Sequence, residues 1–266
     1  MHDICSCDTT VQFNIQQMKP RLLITAGCSF STVPYRDTET WPVHLHNHFN
    51  CKVLHTGQGA TGNISIARKV LYNVHRALKT FKADDILVGI MWSGPDRHEI
   101  ISENPLPITY KGNDYYAMNI PYSLIDPTMY AEKHERIHYV LNQHWNDEAS
   151  VMWYKNFHDP LGAQIETLEQ MLRVQWYLKL NTVKYFMTSY APHTLDYEYY
   201  KHPEAAYLYT QLDQTCFLPT QSALQYMLEQ GNYKHDERID GHPTTNQHKD
   251  FTENMIIPYL KNRGYE

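Results

Sequence analysis

The 266-residue chain lacks any apolar run near the roughly 20 residues needed to cross a bilayer, and its first ten residues, MHDICSCDTT, hold neither a basic nor an apolar stretch. No membrane partner is expected, and a cytoplasmic protein is. Cysteine is sparse: Cys5, Cys7, Cys28, Cys51 and Cys216 form an odd, scattered set without CxxC pairs, which excludes a disulfide framework or a cysteine-based zinc site and fits a reducing compartment. An excess of basic residues is also missing. With 23 Lys and Arg against 29 Asp and Glu, the formal charge is −6, so no positive field invites nucleic acid. The length suits one large domain, read here as residues 21–266 behind an arm over 1–20.

What is present begins at Leu22. The stretch LLITAGCSFS reads as a strand buried on both faces that breaks at Gly27 and leaves Ser29 at its carboxyl end, where open α/β sheets place their ligands. Ser29 is either a nucleophile or the N-cap of a following helix. Cys28 beside it reads as packing. A helix over 40–49, TWPVHLHNHF, brings His44, His46 and His48 close in sequence, but alternate helical positions do not face one another, and no metal is expected.

A short strand over 51–55 runs into TGQGATGN, residues 56–63, and then a long amphipathic helix. The loop lacks the acidic partner that completes a dinucleotide fingerprint, so its amides are better suited to an oxyanion. A third strand over 84–92 ends in SGPDR. Right-handed crossovers gather these three turns at one edge of a parallel sheet.

Residues 98–150, rich in Tyr, Asn and Pro, are read as an insertion with a hairpin turning near Gly112 and Asn113. A single helix over 151–180, with Leu168, Leu172, Trp176 and Leu180 facing the core, leads to a fourth strand over 183–188 and two helices near 203–213 and 220–230. A last helix follows IDGHPTTNQHKDF. In that stretch Asp240 and His242 either form a capped turn or, with Ser29, supply the hydroxyl, imidazole and carboxylate of a nucleophilic hydrolase.

Taken together, GCSFS, GQGATGN, the polar turn after the third strand and DGHP resemble the SGNH (GDSL-type) hydrolase family, whose order they follow along nearly the whole chain. The resemblance implies a three-layer α/β/α, flavodoxin-like fold with four or five parallel strands. It further implies Ser29 as nucleophile and oxyanion donor, Gly59 as second donor, His242 as base and Asp240 as orienter, with no cofactor. The substrate class implied is small acyl esters, such as O-acetyl groups on carbohydrate. The chain departs from the family twice. The G-x-N-D block is replaced by SGPDR, leaving Ser93, Asn63 or nothing to stand in for its asparagine, and one residue separates Asp240 from His242 where two are usual. The alternatives on the same fold are an inert glycan-binding or virion module, which the missing third-block asparagine favours, and an acyltransferase, in which the acyl group passes to a sugar hydroxyl. The general look is similar to family members met in bacteriophage and bacterial genomes.

Overall fold

The computed structural model describes residues 19–33, 38–102, 118–121, 137–143, 147–195, 201–220, 222–230 and 241–265. Four strands, β1 (Leu22–Gly27), β2 (Lys52–His55), β3 (Ile86–Trp92) and β7 (Lys184–Ser189), form a parallel sheet in the order β2-β1-β3-β7. β1 pairs with β2 on one side (Leu23 beside Val53) and with β3 on the other (Leu23 beside Leu87).

Alternation along each strand splits the core in two. On one face Leu22, Ile24, Ile86, Val88, Ile90 and Trp92 pack against α2 (Asn63–Ala77) and α4 (Pro160–Leu180). On the other, Leu23, Leu87, Met91 and Phe186 meet Trp41, Leu45 and Phe49 of α1 (Trp41–Phe49). The same cluster takes in Tyr226 and Met227 of α6 (Ala223–Glu229), the helix after α5 (Pro203–Thr210), and Phe251, Ile256 and Leu260 of the C-terminal helix. That helix runs through α7 (Thr245–Phe251), a π-turn and α8 (Ile257–Lys261). Helices on both faces explain the unbroken apolar strands. The arrangement is α/β and compatible with three layers.

Between β1 and β3 the crossovers reverse direction, and such a reversal opens a crevice outside the carboxyl ends of the two strands. A second sheet, antiparallel in the order β4-β6-β5, joins β4 (Arg97–Ser102), β5 (Met118–Pro121) and β6 (Ile137–Asn142) within the expected insertion. The turn near Gly112 and Asn113, like the arm over 1–18, lies outside the described residues.

Two expectations need correction. The helix over 151–180 is two helices, α3 (Glu148–Asn156) and α4, because Pro160 opens a new helix capped by the Asp159 carboxylate on the Gly162 amide at 2.7 Å. Within α4, Leu168 and Leu172 are buried, but Trp176 and Leu180 are 58% and 83% exposed. A strict spacing of four drifts about 40° per step around a helix of 3.6 residues per turn, so the core follows Leu168, Met171, Leu172, Gln175 and Leu178 instead. Across the chain, no described helix is long and apolar enough to cross a membrane.

Candidate active site

β1 ends in a single 3-10 turn, Ser29–Ser31, with Cys28 at its N-cap position. Ser29 caps no helix. Its Oγ lies 2.7 Å from Nε2 of His242, a contact between residues 213 positions apart. The imidazole is delivered by Gly241, whose φ of +63° turns the chain in the left-handed region that favours glycine. The segment is then anchored by a capping box at α7, with Thr244 N–H donating to Gln247 Oε1 at 2.7 Å. The Phe30 ring packs against His242 (centroids 5.4 Å apart) and edge-on to Tyr190 (5.2 Å). Asp240 lies outside the described residues.

The loop after β2 is laid alongside this turn. Thr56 N–H donates to Thr25 O at 2.8 Å and Gln58 N–H to Gly27 O at 3.0 Å, while Gly57 forms a parallel bridge with Thr32. A Cβ on Gly57 would overlap the Ser31 carbonyl. At Gly59, by contrast, a Cβ would meet no atom within 4 Å. The amides of Ser29 and Gly59 make no hydrogen bond among the described residues. Ala60 holds φ +64°, a strain of about 1–2 kcal/mol that neighbouring contacts must offset.

Two buried charges, neither foreseen from the sequence, bind the residues on either side of Ala60. Glu99 Oε1 accepts from the Gly62 amide and Oε2 from the Ser65 amide, both at 2.6 Å, so a carboxylate from β4 caps α2. Lys69 Nζ, on the buried face of α2, donates to Thr56 O at 3.3 Å and to Gln58 Oε1. Burial lowers the Lys69 pKa from 10.5 to about 8, with the Glu99 charge opposing the fall. The one local signal was a helix opening on Gly62 with no acidic residue in its first turn, which leaves orphan amides for a distant partner.

Asn63 and Ser93 are brought together and bond each other through the asparagine side chain and the Ser93 backbone. Asn63 Oδ1 accepts from the Ser93 amide at 2.8 Å, and Asn63 Nδ2 donates to Ser93 O at 3.0 Å and Thr167 Oγ1 at 3.1 Å. The asparagine side chain and the Ser93 backbone clamp α2 to β3 and α4, which engages the Asn63 amide group, while the Ser93 hydroxyl is buried without a hydrogen-bond partner among the described residues. Beyond the clamp, Asp96 Oδ1 sits 3.9 Å from His193 Nε2, and its backbone carbonyl accepts from the Tyr154 hydroxyl.

The Arg97 guanidinium lies over the Tyr190 ring at 5.5 Å and donates to Thr61 O at 3.3 Å. Burial opposes its charge, yet the surrounding Cys28, Tyr190 and Asp96 raise its pKa overall. For Tyr190, burial chiefly raises the phenol, with Arg97 pulling the other way. No group of three His, Cys, Asp or Glu among the described residues could hold a metal ion.

Comparison with curated proteins returns no match. A family model matches residues 29–214, a span that starts at Ser29 itself and takes in Gly59, Asn63, Ser93 and Arg97 but stops short of His242. The chain therefore belongs to a family of unknown function, DUF6071.

Proposed function

We propose that the protein is a serine esterase of the SGNH (GDSL) type acting on small acyl esters. The observation that carries this is the 2.7 Å contact between Ser29 Oγ and His242 Nε2 at the sheet's switch point. His242 with its proton on Nδ1 leaves Nε2 free to take the hydroxyl proton as Oγ attacks the ester carbonyl carbon. The carbonyl oxygen becomes an oxyanion held by the Ser29 and Gly59 amides. Collapse breaks the bond to the alcohol, which leaves with the proton from His242. Water, deprotonated by His242, then releases the acid from Ser29. Asp240, two residues before the imidazole, is assigned by resemblance to receive the Nδ1 proton's hydrogen bond.

The Asn63–Ser93 clamp favours a second reading, an inert binding module on this fold, because it takes up the asparagine side chain that would serve as third donor. Hydrolysis of p-nitrophenyl acetate separates the two. Under the esterase reading Ser29→Ala lowers kcat by about 10⁴- to 10⁶-fold and Asp240→Asn by up to about 10⁴-fold. A folded wild-type protein that turns over no short ester leaves the inert module.

A further inference from the structure

Gly59 offers its N–H from the peptide that joins it to Gln58, and a peptide unit is planar, so whatever fixes Gln58 also aims that N–H. Packing does not steer Gly59 itself, since a Cβ there would meet no atom within 4 Å. Gln58 is held at three points instead. Its N–H donates to Gly27 O at 3.0 Å, its carbonyl accepts from Thr61 Oγ1 at 2.9 Å, and its side-chain Oε1 accepts from Lys69 Nζ. Only the last of these involves a charge.

The Lys69 ammonium also donates to Thr56 O at 3.3 Å, so one buried cation ties residues 56 and 58 to α2. Burying it is costly, and an apolar side chain would fill this face of the helix as Val70 and Val74 do. Lys69 is 2% exposed, which leaves the loop as the purpose of its charge.

We infer that Lys69 is a positioning residue for the esterase reaction: its ammonium locks Gln58 so that the Gln58–Gly59 peptide turns its N–H to the oxyanion formed when Ser29 attacks. The inference rests on the reading of Ser29 and Gly59 as the site of attack. Loss of the Lys69 proton, at about pH 8 in the folded chain, removes the charge that strengthens this hold. Of the groups on elements around α2, Glu99 of β4 acts on Lys69 and supports its charge. Arg97 of β4 is turned to Thr61 O, His55 of β2 to Thr25 Oγ1, and Glu166 and Arg173 of α4 interact with Arg68, while β1 and β3 bring no titratable side chain.

The test follows kcat and KM for p-nitrophenyl acetate from about pH 6 to about pH 9.5 in wild type, Lys69→Met and Lys69→Arg, each checked for folding by urea titration. In Lys69→Met, kcat is expected to fall by about ten- to a hundredfold with KM changed less than about threefold, as when a donor acting only in the transition state is misaimed. Wild-type kcat is expected to decline above about pH 8, and Lys69→Arg, charged throughout, to keep most of the activity without that decline. Wild-type kcat in a folded Lys69→Met, or an alkaline decline that persists in either variant, overturns the inference. If wild type hydrolyses no ester, the esterase reading fails on its own account, and the Gly59 amide signal of ¹⁵N-glycine-labelled protein decides whether Lys69 sets this N–H. A signal that shifts with a midpoint near pH 8 and is displaced in Lys69→Met upholds the hold on Gly59, and a signal unmoved by both overturns it.

Discussion

Replacing Glu99 by Gln keeps the side chain's shape and removes its charge. The carboxylate accepts two hydrogen bonds at 2.6 Å from the first turn of α2 and is only 7% exposed, so solvent offers little compensation. Hydrogen bonds to charged groups contribute roughly 1.5–3 kcal/mol each, and a negative charge at a helix N-terminus up to about 2 kcal/mol. These terms overlap, and one amide oxygen survives in glutamine, while its NH₂ is turned toward the Gly62 or Ser65 amide, donor against donor. The expected loss is about 2–4 kcal/mol, or a fall in Tm on the order of 5–15 °C. Since the same amides end the loop carrying Gly59, kcat for p-nitrophenyl acetate is expected to fall by at least about tenfold. Urea titration with parallel ester turnover measures both. A Glu99→Gln protein within about 0.5 kcal/mol of wild type would refute the view that this carboxylate holds the loop.

Gly57 and Gly59 are expected to respond oppositely to alanine. Gly57→Ala drives a methyl into the Ser31 carbonyl and costs more than about 2 kcal/mol, whereas Gly59→Ala meets open space and stays within about 0.5 kcal/mol by the same titration. Lys69 releases its proton near pH 8 when folded and near 10.5 when unfolded, so between those values the unfolded chain binds more protons and stability rises with pH. Wild type measured against Lys69→Met therefore gains stability from pH 8 toward 10.5, on the order of 3 kcal/mol in all, and a flat difference across that window would contradict the assignment.

The parts of the molecule legible in the sequence are those written locally. The apolar strands, the opening of α2 at Asn63 and the polar turns after β1 and β2 follow from periodicity and turn chemistry, and topology then gathers their ends on one edge. Ser29 could be paired with His242 because the one stands on such an end and the other on the loop before α7, which a doubly wound fold brings back over the same edge. The Glu99 cap and the Asn63–Ser93 clamp were not legible, since each joins residues 30 or more positions apart and leaves no periodic trace. Asn63 was misread as an available donor for the same reason. The exposed ends of the α4 stripe, Trp176 and Leu180, show how a spacing of four mimics a core face over two turns and leaves it over three.

The claim that Ser29 is an activated nucleophile is tested most directly by reaction with a fluorophosphonate, read by intact mass and peptide mapping across pH. The account expects one adduct, on Ser29, with a rate that falls as pH drops through the titration of His242, because only neutral imidazole accepts the hydroxyl proton. Ser29→Ala should take no label and Cys28→Ala should label as wild type does. A folded wild-type protein that remains unlabelled, or is labelled equally fast when His242 is replaced by Ala, would contradict it.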